Sequence, residues 1–217
     1  MFPALYAIID LNSSQEIEAA LSLSQKIAAG GARLMQIRAK DHSAREYFLA
    51  AQKFLEILAP LGVKLIVNDR PDVAAIATAQ GVHVGQQDLP PDLARKLCPP
   101  PLWVGVSTHN LDQLKVADKT SADYIAFGPV FPTQSKANPD PVVGLELLRQ
   151  ARNSTRKPLV AIGGITVESA AAVFAAGADS VAVISDLSEA PDPAARAAQY
   201  LEIARKHAER ALYAERN

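Results

Sequence analysis

The run KLIVNDRPDVAAIATAQGVHVGQQD, residues 64–88, decides the fold. It opens on a β-branched apolar stretch, Lys64 to Val67, which gives out at Asn68-Asp69-Arg70. An Ala-rich segment, Val73–Ala79, follows. A second apolar stretch, Val82-His83-Val84, stops at Gly85 and leads through Gln86 and Gln87 to Asp88. Strand, helix and strand in so short a span make one βαβ unit, whose two strands lie side by side and parallel. Their C-terminal ends are then about 4.8 Å apart, and each is followed by an aspartate.

Working outward, the same unit recurs about every 25 residues. The strand candidates are Leu5–Ile9, Arg33–Arg38, Lys64–Asn68, Val82–Gly85, Trp103–Ser107, Tyr124–Gly128, Leu159–Gly163 and Ser180–Ser185. Amphipathic segments fall between them at Ser14–Ala29, Ala44–Ala59, Val73–Ala79, Leu111–Lys119, Gly144–Asn153, Val167–Ala176 and Ala194–Ala214. Gly31-Ala32 and Gly177-Ala178 stand where a glycine closes a helix before the next strand. Eight such units close into a compact (β/α)8 barrel, an α/β fold. The rival, a doubly wound open sheet, lacks its usual signal, because no GxGxxG follows the first strand. No linker or low-complexity segment divides the chain, so one barrel domain is expected over residues 1–217. The polar tail, 209–217, is expected to fray.

Bulk properties exclude several classes of function. Net charge is −1 and hydrophobic residues make up 49% of the chain. This provides for a large core and offers no basic groove for nucleic acid. The lone Cys98 rules out an intramolecular disulfide and reads as an idle or buried thiol. No apolar stretch reaches the roughly 20 residues of a membrane helix, and no signal peptide stands at the N-terminus. A soluble, cytoplasmic protein is expected.

In a barrel of this type, chemistry sits at the C-terminal ends of the strands. The unusual polar residues fall there. Gln36, Arg38 and Lys40 share one face of strand 2, an amide, a guanidinium and an ammonium suited to a polyanion. The plainer reading is an Arg38 paired with a carboxylate at the rim. Asp69 and Asp88 could share one hard divalent cation, although helix capping accounts for either one alone. Asp72 is also a candidate cap. Ser107 and His109 end strand 5. Gly163-Gly164 lets the backbone approach a phosphate, or serves only a tight turn; Ile184-Ser185 adds further N–H groups. The long loop after strand 6 carries Thr133, Ser135 and Lys136 among prolines and could close as a lid. His83 and His109 read as structural, and His42 and His207 as solvent-exposed structural residues, since no two histidines have metal-ligand spacing. Two anion sites flanking a metal suit the joining of two phosphorylated molecules with loss of pyrophosphate, without a nucleophile or general base.

Seven ordered stretches match one family. They are Met35–Lys40, Leu65–Arg70, Gly81–Pro90, Gly105–His109, Phe127–Thr133, Val160–Ile165 and Val181–Ser185. Through them the chain resembles the thiamine phosphate synthases along almost its whole length. The resemblance implies condensation of hydroxymethylpyrimidine diphosphate with thiazole phosphate, through a pyrimidine methylene cation that the thiazole nitrogen captures. It implies Mg²⁺ held by Asp69 and Asp88. The pyrimidine diphosphate falls to the strand 2 stretch Gln36, Ile37, Arg38, Ala39 and Lys40, with Asn68, Ser107 and Lys136. Among these, Arg38, Lys40, Ser107 and Lys136 are expected to bear on catalysis. The thiazole phosphate falls to Thr133, Gln134, Ser135, Gly164, Ile184 and Ser185. The implied partners are two phosphorylated small molecules; oligomeric state is not legible.

The chain departs from the family pattern at three positions. Ala39 stands where Glu is usual, Gln80 where an Asp often precedes the Gly-Val-His run, and Ser135 where Thr is common. Alternation turns residue 39 away from the mouth, so its effect should be on support. The sister thiazole tautomerases resemble the synthases but carry a His in the strand 6 loop, where this chain has Pro129. They also lack the run kept here as Gly85–Pro90. A non-catalytic barrel that senses thiamine precursors is the rival from another class, and the two aspartates and Lys136 argue against it.

Overall fold

A computed structural model describes residues 2–11, 17–133 and 140–214. Eight parallel strands close into a barrel in sequence order, β1 pairing with both β2 and β8. The strands are β1 (Leu5–Asp10), β2 (Leu34–Arg38), β3 (Lys64–Asn68), β4 (Gly81–Val84), β5 (Trp103–Thr108), β6 (Tyr124–Phe127), β7 (Leu159–Ile162) and β8 (Ser180–Val183). Around them run α1 (Ile17–Ala29), α2 (Ala44–Leu58), α3 (Pro71–Ala77), α4 (Pro91–Leu97), α5 (Leu111–Asp118), α6 (Gly144–Ser154), α7 (Val167–Ala175), α8 (Ser185–Ser188) and α9 (Pro193–Ala214). The (β/α)8 expectation therefore holds. Two helices were not foreseen, α4 and α8. α8 is a single turn, too short for its apolar spacing to register.

Strand periodicity divides the apolar residues between two layers. Along β1, Leu5, Ala7 and Ile9 face the helices, while Tyr6 and Ile8 point into the barrel with Leu34, Ile66, Tyr124, Ala126, Val160 and Ala182. The barrel interior is thus a packed core and not a pore. Gly31 and Gly177 close α1 and α7 with φ of +101° and +98°, as their placement before a strand predicts. Cys98 is fully buried and its thiol donates to the Pro71 carbonyl at 3.4 Å. Burial pushes that thiol up, so it is inert.

One interior position is dictated by its neighbour. A Cβ on Gly105 would lie 2.0 Å from the Tyr124 ring, so β5 must leave this place empty for the tyrosine to enter the barrel. Gly105→Ala is expected to destabilise the fold by about 1–3 kcal/mol through overpacking. Urea denaturation checks this, and an unchanged midpoint would refute the crowding.

Two histidines differ from expectation. His42 and His207 are half-buried rather than exposed. His207 stacks on Phe174 at 6.2 Å between ring centroids, and both His42 ring nitrogens are buried without a hydrogen-bond partner.

Candidate active site

The C-terminal rim gathers most of the residues singled out in the sequence. β3 and β4 pair with Asn68 opposite His83, which brings the two loops after them together. Asp69 adopts φ +63°, a left-handed conformation that aspartate tolerates better than most residues, and its N–H donates to the His83 carbonyl at 2.8 Å. The Asp88 carboxylate is held from its own loop by the Gly85 N–H at 2.7 Å. Turned this way, the two carboxyl groups lie close enough to act on each other. Burial first, then the Asp88 carboxyl, pushes Asp69 up to about 6, against the attraction of Lys40.

This geometry removes the capping alternative. The N-cap of α3 is Arg70 and that of α4 is Pro90, neither with a side-chain cap. Asp72 does not cap α3 either; it forms a two-pronged pair with Arg70. Two like charges pressed together at a rim favour a cation between them. Among the described residues no group of three or more His, Cys, Asp or Glu side chains is placed to hold a metal. A pair of carboxylates instead suits Mg²⁺, which keeps several waters and takes further oxygens from substrate phosphates.

Strand β2 supplies the cationic edge. Gln36 faces the interior and Arg38 the rim, whereas Ile37 and Ala39 pack in the layer against the helices. Any contact from Ile37 or Ala39 to a ligand in the mouth must therefore use their backbone. Asn68 is tied through its N–H to the Tyr47 hydroxyl at 2.9 Å, and that hydroxyl donates to the Ile37 carbonyl at 2.6 Å. One buried tyrosine on α2 thus locks the ends of β2 and β3 together.

Arg38 is paired with Asp10 at 2.7 Å, as the plainer reading of that residue foresaw. Asp10 itself was missed, because the first strand was read as ending at Ile9. The pair uses one guanidinium nitrogen, and a fork can offer another to an oxyanion. Asp10→Ala is expected to loosen Arg38 and raise the KM for a diphosphate substrate about 5–50-fold, by loss of a partly buried charge-assisted bond. A KM unchanged within twofold would show that Arg38 is held by other means.

On the opposite side, Gly163 and Gly164 have φ of +97° and +63°. A Cβ on Gly163 would meet Pro129 at 2.4 Å, and one on Gly164 would meet the Pro132 carbonyl at 2.3 Å. The Val130 and Phe131 N–H groups donate to the Ile162 and Gly163 carbonyls at 2.8 and 3.0 Å. The glycines thus serve close packing of the loop after β6 on the end of β7, in addition to the turn. Ile184 and Ser185 lie at the start of α8, beside this junction. Asp186, unremarked in the sequence, ties the corner together. It accepts from Arg196, from the Tyr200 hydroxyl at 2.6 Å and from the Val167 N–H at 3.2 Å.

Ser107 reaches the mouth from β5, and its carbonyl accepts from the Gln86 side chain at 2.6 Å. His109 bridges to the Gly128 carbonyl at 2.7 Å and faces Asp140 at 3.4 Å, a structural role as expected. Thr133 is the last residue described before the gap. Gln134, Ser135 and Lys136 lie outside the described residues, and with them the reading of this loop as a lid.

A closed (β/α)8 barrel with its carboxylates, guanidinium and ammonium collected at the C-terminal rim is the architecture of a barrel enzyme. Comparison with known proteins narrows the class. The sequence model described as thiamine monophosphate synthase matches residues 5–187, and the chain belongs to that family. It is 50% identical to a thiamine-phosphate synthase of Koribacter versatilis, over 93% of this chain and 95% of the relative. It is 40% identical to one of Methanospirillum hungatei, over 84% and 89%. Among solved structures, a thiamine phosphate pyrophosphorylase from Pyrococcus furiosus superposes with a TM-score of 0.83 at 31% identity, covering 94% of this chain and 96% of that one. No helix among the described residues is long and apolar enough to cross a membrane.

Proposed function

We propose that the protein joins 4-amino-2-methyl-5-(diphosphooxymethyl)pyrimidine to thiazole phosphate, releasing pyrophosphate and forming thiamine phosphate. The observation that carries this reading is the Asp69–Asp88 pair set beside Lys40, with Arg38 at the end of the neighbouring strand β2, in a chain of the thiamine monophosphate synthase family. Asp69 and Asp88 are the residues that would hold Mg²⁺, which supplies charge neutralisation of the departing diphosphate.

Each of the chain's own groups then has a task. Arg38 and Lys40, with Lys136 from the loop after β6, bind the diphosphate oxygens and favour the charge that grows on them. Gln36, Asn68 and Ser107 orient the pyrimidine. As the bond from methylene carbon to diphosphate oxygen breaks, its electron pair leaves with pyrophosphate. The thiazole nitrogen lone pair then forms the new C–N bond to that carbon. The backbone at Gly164, Ile184 and Ser185, with Thr133, Gln134 and Ser135, holds the thiazole phosphate so that its nitrogen faces the methylene group. No side chain need take a proton, so catalysis rests on placement and charge.

Incubating the protein and Mg²⁺ with each substrate alone and with both tests this reading. Thiamine phosphate is expected only when both are present. No product from the complete mixture would contradict the proposal.

A further inference from the structure

Beneath the mouth runs a chain of hydrogen bonds that joins two of the proposed pyrimidine ligands through the middle of the barrel. Gln36 Nε2 donates to the Tyr6 hydroxyl at 2.6 Å. The Tyr6 and Tyr124 hydroxyls are 2.9 Å apart, Tyr124 lies 3.1 Å from His83 Nδ1, and His83 Nε2 lies 2.8 Å from Ser107 Oγ. Tyr6, Gln36, His83 and Tyr124 are all buried, and burial pushes both tyrosine hydroxyls up, so each keeps its single hydrogen. Residues from five strands, β1, β2, β4, β5 and β6, meet here.

The donors and acceptors in such a row are not independent. With the Gln36 amide donating to Tyr6, the Tyr6 hydrogen goes to Tyr124 and the Tyr124 hydrogen to Nδ1 of His83. His83 is then the neutral tautomer protonated on Nε2, which donates to Ser107. The Ser107 hydroxyl, already accepting, has its own hydrogen to give elsewhere. At the other end Gln36 Oε1 has no partner among the described residues.

We propose that Tyr6, Tyr124 and His83 are positioning residues that fix opposite hydrogen-bonding character at the two ends of this relay, an acceptor at Gln36 and a donor at Ser107. That pair matches the edge of a 4-aminopyrimidine, whose exocyclic amine donates and whose adjacent ring nitrogen accepts. A 4-oxopyrimidine presents the reverse at both atoms: its carbonyl oxygen would face Gln36 Oε1, and its ring N–H could be met only by the second lone pair of Ser107. This inference rests on the function proposed above, and it adds to that function how the pyrimidine is selected.

Two measurements test it. In the substrate-free protein at pH 8, the ring nitrogens of His83 are read by long-range ¹H–¹⁵N correlation, with assignment by His83→Gln. Protonation on Nε2 is expected; protonation on Nδ1, or on both, overturns the relay as drawn. Calorimetric Kd values are then compared, with Mg²⁺ and without thiazole phosphate, for the 4-amino diphosphate and its 4-oxo counterpart. The wild type should favour the amino form by at least about 100-fold, as a site built around substrate hydrogen bonds does. In Tyr124→Phe the preference should shrink to about fivefold or less, with the Kd for thiazole phosphate unchanged. Should that variant not fold, Tyr6→Phe breaks the same row one step earlier and is expected to behave alike. A wild-type preference retained in a folded variant overturns the proposal. If the wild type binds the amino form but makes no thiamine phosphate, the proposed reaction fails while the relay stands. If it binds neither diphosphate, the selection fails as well, whatever the tautomer.

Discussion

Asp69→Asn is expected to lower turnover about 10²–10³-fold, the loss typical when a preorganised stabiliser of developing charge is removed, while making the metal-free protein more stable. Asparagine keeps the shape of the side chain and tolerates the left-handed backbone at this position, φ +63°, so the change isolates the charge. The stability gain follows from the sign of the pKa shift. Asp69 rises from 3.8 unfolded to about 6 folded, chiefly through burial and then through Asp88. Its contribution therefore favours folding fully below pH 3.8 and is lost as pH climbs through about 6. At pH 8 the charged pair costs on the order of 1–2 kcal/mol after allowance for solvent screening, a shift of roughly 2–6 °C in Tm. Thermal melts in EDTA at pH 8 should show the variant melting higher than wild type, and the difference should vanish near pH 4. Mg²⁺ should stabilise the wild type more at pH 8 than at pH 5, because the cation needs the deprotonated pair. A variant with wild-type turnover would remove Asp69 from the metal site.

The second large effect is expected at Gly164. A methyl group there would stand 2.3 Å from the Pro132 carbonyl oxygen and 2.8 Å from Phe131 Cβ, on a backbone with φ +63°. A carbonyl cannot swing aside as a long side chain can. Gly164→Ala must push the loop after β6 off the end of β7, and the strain costs about 1–3 kcal/mol. Thr133 follows directly on that loop, and the Gly164 backbone is proposed to bind the thiazole phosphate. The KM for thiazole phosphate should therefore rise at least about tenfold, while the KM for the pyrimidine diphosphate changes little. Steady-state kinetics with each substrate varied in turn separates the two. Equal changes in both constants would mean that the glycine serves the barrel as a whole rather than one subsite.

What was legible in the sequence follows from what local pattern can carry. The β-branched runs of β3, β4 and β8 are short and mostly apolar, as strands of a buried parallel sheet are, and the order of the eight runs pointed to the closed barrel. Alternation correctly turned Ala39 toward the helices and Gln36 inward. Asp69 and Asp88 stood out because carboxylates at the ends of apolar strands are unusual. Their mutual approach was invisible, since it depends on the left-handed backbone at Asp69 and on the Gly85 N–H that holds Asp88.

The tyrosine relay shows the other limit. Tyr6 and Tyr124 were not singled out in the sequence, and they are 118 residues apart in it. Only closure of the barrel brings their hydroxyls together, and only the absence of a side chain at Gly105 admits the second ring. Asp10 and Asp186 were overlooked for a related reason, because each gains meaning only from an arginine reached through tertiary contact. The packing of the loop after β6 on Gly163-Gly164 was likewise beyond the sequence, since that loop is not adjacent to them in the chain.

The central claim is that the rim of this barrel clamps a diphosphate through Mg²⁺ at Asp69 and Asp88 and releases it as pyrophosphate. Its most direct test follows pyrophosphate and thiamine phosphate together in single-turnover reactions of the wild type, with Mg²⁺ and with EDTA. The account predicts that both appear in equal amounts and at one rate with Mg²⁺, and that both are suppressed in EDTA. Thiamine phosphate formed at an undiminished rate in EDTA, or formed without matching pyrophosphate, would contradict it.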